Sequence, residues 1–407
     1  MKVTIHESCA NGVVIAPPSK SYAHRLILLA FIQNRKCIVN NVSLSDDIRA
    51  TLDCVKSLGG SFYIEDDKVI FDGNNKRVSG DITLECNESG STLRFLIPIA
   101  LALYPNIYIT MHGSEKLLSR GLSIYEEIFD NENIKYEHGI DTFRFKGELR
   151  SDYYKVLGNV SSQFITGLVF GCVIQGGIFK NKRIEIIKPI ESKTYIDITI
   201  DCFKMFKANI SYKNGIIDIN DSSLSCDNVT IEGDYSNASF FEALNYIDSN
   251  NKVLVKGLNE DSIQGDKAYI EYFKELKERN CIIDIKDSID LGPILFVVSS
   301  MLNGGKFINT NRLINKESDR IYDLIQELKK FGCDIVVNDN EVIINKANLH
   351  TPSLELDGHN DHRIVMALSV MLTKFGGNIN NAESVNKSFP DFFIRLGGLG
   401  IKYEFDK

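Results

Sequence analysis

One pattern recurs six times along this chain and restricts its folding more than any other feature. Each time, a cluster of Gly, Ser, Asn or Asp runs into a stretch of small and apolar residues long enough to form a buried helix. The first copy is Ala16-Pro17-Pro18-Ser19-Lys20-Ser21, continuing through Arg25 into residues 26–31. The others are 87–94 before 95–103, 158–163 before 164–174, and 233–239 before 240–247. The last two are 290–293 before 294–302 and 358–363 before 364–372. The spacing is roughly 55 to 75 residues, longer than that of common solenoid repeats.

A second unit lies between the copies. Residues 47–58 place Ile48, Leu52, Val55 and Leu58 near helical spacing, and Gly59-Gly60 ends the run. Residues 61–64 and 68–71 then alternate as two short strands. Comparable stretches follow at 124–145, 196–219, 269–285, 321–344 and 392–405. Each repeat therefore reads as strand, buried helix, strand, amphipathic helix, hairpin. Three repeats make a domain of ordinary size, so 407 residues fit two lobes of three. The expected class is α/β (α+β), with the N-termini of the buried helices converging on a common cleft.

Composition excludes several other classes. A formal charge of −8 argues against non-specific nucleic-acid binding, so an anionic ligand needs locally concentrated Lys and Arg. No apolar stretch approaches the ~20 residues that span a bilayer, and the strand-like start, residues 1–7, lacks the apolar core of a signal peptide. A cytoplasmic protein is expected. The nine cysteines are odd in number, dispersed and never in C-x-x-C spacing, which points away from disulfides and zinc.

A polar cluster before an apolar run is also what any capped helix contains. Several of these clusters carry more than a cap requires: Lys20, Arg25, Arg94, Asp290 and Arg363. Backbone N–H groups, hydroxyls and cations at a helix start make an anion site. Two further charged stretches, Asn315-Lys316-Glu317-Ser318-Asp319-Arg320 and Asn386-Lys387-Ser388-Phe389-Pro390-Asp391, each precede an amphipathic helix, and Arg120 stands in the loop 116–121.

These stretches carry a resemblance. P-x-S-K-S-x-x-x-R, S-G-S-T-x-R, S-S-Q-F-x-T-G, S-K-x-Y-I-D-I-T, K-E-S-D-R, N-D-H-R and K-S-F-P-D occur in one order over nearly the whole chain. Together they resemble the EPSP synthase (3-phosphoshikimate 1-carboxyvinyltransferase) family of enolpyruvyl transferases. The resemblance implies a two-lobed inside-out α/β barrel, each lobe of three βαβαββ units. It places 18–232 in the N-terminal lobe and 1–17 with 233–407 in the C-terminal lobe, with crossings near Pro17 and Gly233. The implied reaction joins phosphoenolpyruvate to the 5-hydroxyl of shikimate 3-phosphate by addition and elimination.

Carried over by motif, Lys20, Ser21 and Arg25 are expected to contact the substrates from the first lobe. Ser161, Ser162, Gln163, Ser192 and Tyr195 are expected to cradle shikimate 3-phosphate, with Asp290 and Lys316 contacting it from the other lobe. Lys20, Gly90, Arg120, Gln163, Arg320, Arg363 and Lys387 are the expected phosphoenolpyruvate contacts. Asp290 and Glu317 resemble the base and the acid, Lys20 shares the proton traffic, and His362 is a weaker candidate. No metal or cofactor is implied, since phosphoenolpyruvate carries its own leaving group, and a monomer is expected to act on these small molecules without nucleic acid or membrane. Lobes that meet two small anions are expected to close on them.

Three departures stand out: Leu117-Leu118 where the family usually has proline and methionine, Glu88-Ser89 before Gly90, and Arg312 four residues before Lys316. Two other readings stay open on sequence: a UDP-N-acetylglucosamine enolpyruvyl transferase, and a non-catalytic anion-binding repeat protein. The first usually has a reactive loop cysteine and a Lys-Asn pair. This chain has Lys20-Ser21, and no cysteine between Cys86 and Cys172.

Overall fold

In the computed structural model the apolar run of every repeat is a helix buried on nearly all sides: Lys20–Ile32, Gly90–Leu103, Ser162–Gln175, Tyr235–Ile247, Gly292–Met301 and His362–Phe375. The structure describes residues 1–176, 181–220 and 223–406, so residue 407, the end of the expected C-terminal lobe, lies outside it. The polar clusters supply the caps. Ser89 accepts from the Thr92 amide, Ser161 from that of Gln163, Asp234 from that of Asn237 and Asp361 from that of Arg363. Pro293 opens the fifth helix, where its missing N–H costs no hydrogen bond.

The chain divides into two compact units, one continuous from Pro18 to Glu232 and one made of two segments, Met1–Pro17 with Gly233–Lys407. Each has its own apolar core. Phe95, Phe129, Phe143, Phe164, Phe170 and Phe203 fill the first, and Phe240, Phe273, Phe296, Phe331, Phe389 and Phe392 the second.

The repeats share one sheet plan. Ile82–Asn87 runs parallel to Ile109–Gly113, whose other side takes the antiparallel strand Thr142–Lys146 and then Lys135–His138. The strands Tyr153–Leu157, Lys182–Ile187, Ile216–Ile219 and Ile210–Lys213 repeat that order, as do Ile282–Asp284, Gly305–Ile308, Glu341–Asn345 and Asp334–Asn338. Two further sheets are closed by strands distant in sequence. Asn228–Thr230 pairs with Lys36–Asn40, and Lys2–Ile5 lies between Gly377–Asn380 and Tyr403–Asp406.

The fourth repeat departs from the expected unit. No hairpin follows its amphipathic helix Tyr269–Glu278, and the next strand, Ile282–Asp284, already belongs to the fifth sheet. Its strand Lys252–Lys256 pairs instead with Asn11–Ile15. The start of the chain thus satisfies the backbone groups that a hairpin satisfies elsewhere.

Glycine permits one close helix contact. A Cβ on Gly167 would lie 2.3 Å from the carbonyl oxygen of Arg94, so Gly90–Leu103 and Ser162–Gln175 approach to backbone distance only because no side chain intervenes. All nine cysteines are free thiols. Among the described residues, no helix is long and apolar enough to cross a membrane.

Candidate functional site

In the continuous unit most of the expected residues sit at or near helix starts, while Arg120 follows the end of a short helix. Lys20 opens its helix, and its Nζ donates to Oδ2 of Asp47 at 2.8 Å. Arg25, one turn further, is buried. It donates from Nε to Thr199 Oγ1, from Nη1 to the Ser21 carbonyl, and from Nη2 to Thr166 Oγ1 and the Tyr195 carbonyl. Four of its five N–H groups therefore brace three helices, which makes Arg25 more a strut than an open anion clamp.

Gly90 begins the Gly90–Leu103 helix with three polar groups around it. A Cβ there would meet Arg94 Nη1 at 2.9 Å, Gln163 Oε1 at 3.4 Å and Arg120 Nη1 at 3.7 Å. Arg94 Nη1 donates to Gln163 Oε1 at 2.9 Å, and Gln163 Nε2 donates to Ser91 Oγ at 3.0 Å. Burial, and then the neighbouring Arg120 charge, lower the Arg94 pKa to about 10. Ser162 is buried just inside the Ser161 cap, and Ser192 stands in a left-handed conformation immediately before Lys193–Met205.

The departures have local causes. Leu117 and Leu118 are buried in a short helix, Glu115–Ser119, that ends at Arg120, where a loop was expected. Ser89 is the cap of the Gly90 helix. In the other unit, the Arg312 charge helps to lower the Lys316 pKa.

Asp47, Thr51 and Thr92 were not singled out from sequence, yet they join these helix starts. His24 Nδ1 lies 2.8 Å from Thr51 Oγ1, which lies 2.7 Å from Thr92 Oγ1, which in turn donates to Ser89 Oγ at 2.7 Å. Burial, with Lys20 and Arg25 nearby, holds the His24 pKa well below the usual range, so the ring is neutral. A hydroxyl facing a helix interior reads as packing in a sequence, and only the fold shows it in a chain.

In the two-segment unit the charged motifs meet around Asp290. Its Oδ1 accepts from Lys316 Nζ at 3.1 Å and Arg320 Nη1 at 3.0 Å, and Arg363 Nη2 stands 3.4 Å from Oδ2. Burial alone would raise the Asp290 pKa, but Arg363, Lys316 and Arg320 outweigh it and hold the carboxyl well below its ordinary range. Burial is likewise the first cause for Lys316, whose pKa falls to about 8 against the pull of Asp290.

Glu317 Oε2 lies 2.8 Å from Nδ1 of the buried His362, a distance across which a proton can be shared. Asp361, absent from the expectations although it stands inside N-D-H-R, receives Arg320 through Nε at 2.7 Å and Nη2 at 3.1 Å. Arg363 also donates to Ser236 Oγ at 2.6 Å, and Lys387 Nζ donates to the Asn360 carbonyl at 2.5 Å. Glu317, Asp361 and His362 are close enough to suggest a cation site. The Arg320 guanidinium already lies on Asp361 and 3.9 Å from Glu317, so a fixed organic cation holds that charge.

Comparisons with known proteins show the family and the fold. The family model described as EPSP synthase (3-phosphoshikimate 1-carboxyvinyltransferase) matches residues 6–280 and 270–396. A 3-phosphoshikimate 1-carboxyvinyltransferase of Clostridium novyi is 38% identical, with 98% of each chain covered. One from Clostridioides difficile is 35% identical over 97% of each. Among solved structures, the EPSP synthase of Acinetobacter baumannii shares the fold with a TM-score of 0.80 at 19% identity, covering all of both chains. The enolpyruvyl transferase NikO from Streptomyces tendae shares it with a TM-score of 0.75 at 11% identity, covering 99% of this chain and 98% of its own.

Proposed function

The chain belongs to the EPSP synthase family, and from that premise we propose that it transfers the enolpyruvyl group of phosphoenolpyruvate to the 5-hydroxyl of shikimate 3-phosphate and releases phosphate. The observation that carries the catalytic part of this reading is the Asp290 carboxylate among Lys316, Arg320 and Arg363. Three cations keep it ionised, as a base must be. When the substrate's carboxylate and phosphate draw on Arg320 and Arg363, Asp290 loses part of that stabilisation and becomes a stronger proton acceptor.

In the proposed sequence, Asp290 takes the 5-hydroxyl proton as that oxygen bonds to C2 of phosphoenolpyruvate. The π pair moves to C3 and takes a proton from the Glu317–His362 pair, giving a tetrahedral intermediate. C3 then returns a proton, the C2–C3 double bond re-forms, and the C2–O bond to phosphate breaks. Lys20 shares the proton traffic and touches both substrates.

Shikimate 3-phosphate is assigned to Ser21, Ser161, Ser162, Gln163, Ser192 and Tyr195 with Lys316, and to the remaining N–H of Arg25. Hydroxyls at helix starts suit its phosphate. Gly90, Arg120, Gln163, Arg320, Arg363 and Lys387 are assigned to phosphoenolpyruvate, where guanidinium forks match carboxylate and phosphate oxygens. In this reading a monomer works in the cytoplasm on small molecules, without metal, cofactor, nucleic acid or membrane.

The test is phosphate release from phosphoenolpyruvate with shikimate 3-phosphate or UDP-N-acetylglucosamine as acceptor. Release with shikimate 3-phosphate alone is expected. Release with the nucleotide sugar, or with neither, refutes the reading.

A further inference from the structure

We propose that His359 is a positioning residue: its imidazolium, held between Glu327 and Asp323, locks the turn that presents Asp361, His362 and Arg363. The inference rests on the assignment of Arg363 to phosphoenolpyruvate.

The turn is unusual. His359 and Asn360 both have left-handed backbones, with φ of 49° and 52°, immediately before the Asp361 cap. Two successive non-glycine residues in that region need their surroundings to hold them there. Asn tolerates it well, whereas His must be fixed by its contacts.

Those contacts come from three sides. The His359 amide donates to Asp357 Oδ1 at 2.7 Å, an atom that also accepts from Asn381 Nδ2 at 2.8 Å. On the ring, Nε2 lies 3.1 Å from Oε1 of the buried Glu327, and Nδ1 lies 3.6 Å from Oδ1 of Asp323. A neutral imidazole would turn a lone pair toward one of these carboxylates, so both nitrogens carry protons. The other oxygen of Glu327 accepts from Lys330 Nζ at 2.7 Å and from the Asp357 amide at 2.9 Å. Glu327 thus ties down both the strand entering the turn and the ring within it.

The titratable groups facing the ring are Glu327 and Asp323 from Tyr322–Lys329 and Asp357 from the preceding strand, with Lys330 on the far side of Glu327 and Asp319 beside Asp323. The hydrogen bond to Glu327 is the first cause that raises the His359 pKa above 6.5. On the functional side, Lys387 rests on the Asn360 carbonyl, Arg320 on Asp361, and Arg363 on Ser236 and Asp290. A shift of the turn moves all of them, while His359 itself is not among the residues assigned to either substrate.

The experiment combines imidazole NMR of the full chain with steady-state kinetics. The His359 signal, identified by its loss in His359→Asn, should show both nitrogens protonated to a pH above the ordinary 6.5. In Asp323→Asn its midpoint should move to lower pH. Since Asn accepts the left-handed backbone, His359→Asn should fold, raise KM for phosphoenolpyruvate on the order of tenfold and leave KM for shikimate 3-phosphate within about twofold. In Asp323→Asn the rise in KM for phosphoenolpyruvate should begin at lower pH than in the wild type.

A ring that titrates at or below 6.5, or a His359→Asn variant with wild-type KM for phosphoenolpyruvate, overturns the proposal. So does an equal rise for both substrates that ignores pH, which is what a merely structural residue would give. Absence of turnover in the wild type refutes the reaction assignment instead, and the NMR titration then still decides whether the carboxylates hold the ring charged.

Discussion

Gly90→Ala probes the proposed position of phosphoenolpyruvate against the start of the Gly90–Leu103 helix. The added methyl would stand 2.9 Å from Arg94 Nη1, where ordinary contact begins near 3.4 Å, so the guanidinium has to retreat. It has little room. Arg94 is buried, its Nη1 donates to Gln163 Oε1 at 2.9 Å, and its Cζ lies 5.2 Å from the centre of the Phe164 ring. Weakening that hydrogen bond forfeits about 1.5 kcal/mol, the low end for a bond made by a charged group. If the loss falls on phosphoenolpyruvate, its KM rises about tenfold. Two effects on stability oppose one another: alanine favours the helix by up to about 1 kcal/mol, and crowding costs at least as much. The melting temperature should therefore move by only a few degrees, on the order expected for about 1 kcal/mol. The assay is phosphate release with each substrate varied in turn, beside a thermal melt. An unchanged KM for phosphoenolpyruvate, or an equal rise for shikimate 3-phosphate, would refute the reasoning.

Lys316, with a pKa near 8, should give kcat/KM an alkaline limb near that pH, as Asp290 and the substrate lose one of their cations. A buried lysine whose pKa is depressed below 10.5 opposes folding while charged, so stability should not fall as pH rises through about 8. Lys316→Arg should abolish the limb in a pH–rate profile; a limb that survives would place the titration elsewhere. Asp290→Asn should lower kcat by roughly 10²–10⁴-fold, the range for a lost general base. It should still bind phosphoenolpyruvate in calorimetry, because the three cations remain, and retained turnover would remove Asp290 from the chemistry. Ser89→Ala deletes the side-chain cap at 3.2 Å from the Thr92 amide and should cost about 1 kcal/mol in urea unfolding. An unaltered midpoint would mean that water replaces the cap. Gly167→Ala should destabilise by about 2 kcal/mol or more, because its methyl meets the Arg94 backbone carbonyl at 2.3 Å. A wild-type unfolding midpoint would contradict the packing described.

Much of this protein is legible in its sequence because its signals are local. Cap residues, apolar runs and paired alternating stretches depend on neighbours within one or two helical turns. They sufficed to set out six buried helices and their amphipathic partners, and the charged motifs singled out Lys20, Arg120, Asp290, Lys316, Arg320 and Arg363. Where the chain closes on itself the local signal fails. The fourth repeat carries no mark that its strand would pair with Asn11–Ile15, nor the first that Asn228–Thr230 would complete its sheet. Hydrogen bonds between strands far apart in sequence leave no periodicity to read.

The same division runs through the candidate site. Residue types and order nominate candidate anion-binding residues, because phosphate and carboxylate need N–H groups, hydroxyls and cations. Their electrostatic state was decided by the tertiary structure. Burial favours a neutral carboxyl and nearby cations an ionised one, and a sequence does not carry that balance. The fold resolves it for Asp290 by bringing Lys316, Arg320 and Arg363 to one carboxylate. It also turns Arg25 inward as a strut, gives Asp361 to Arg320, and sets His359 against Glu327 and Asp323. Each outcome depends on distances of a few ångströms between residues dozens of positions apart, and Coulomb energy and hydrogen bonding vary steeply over that range.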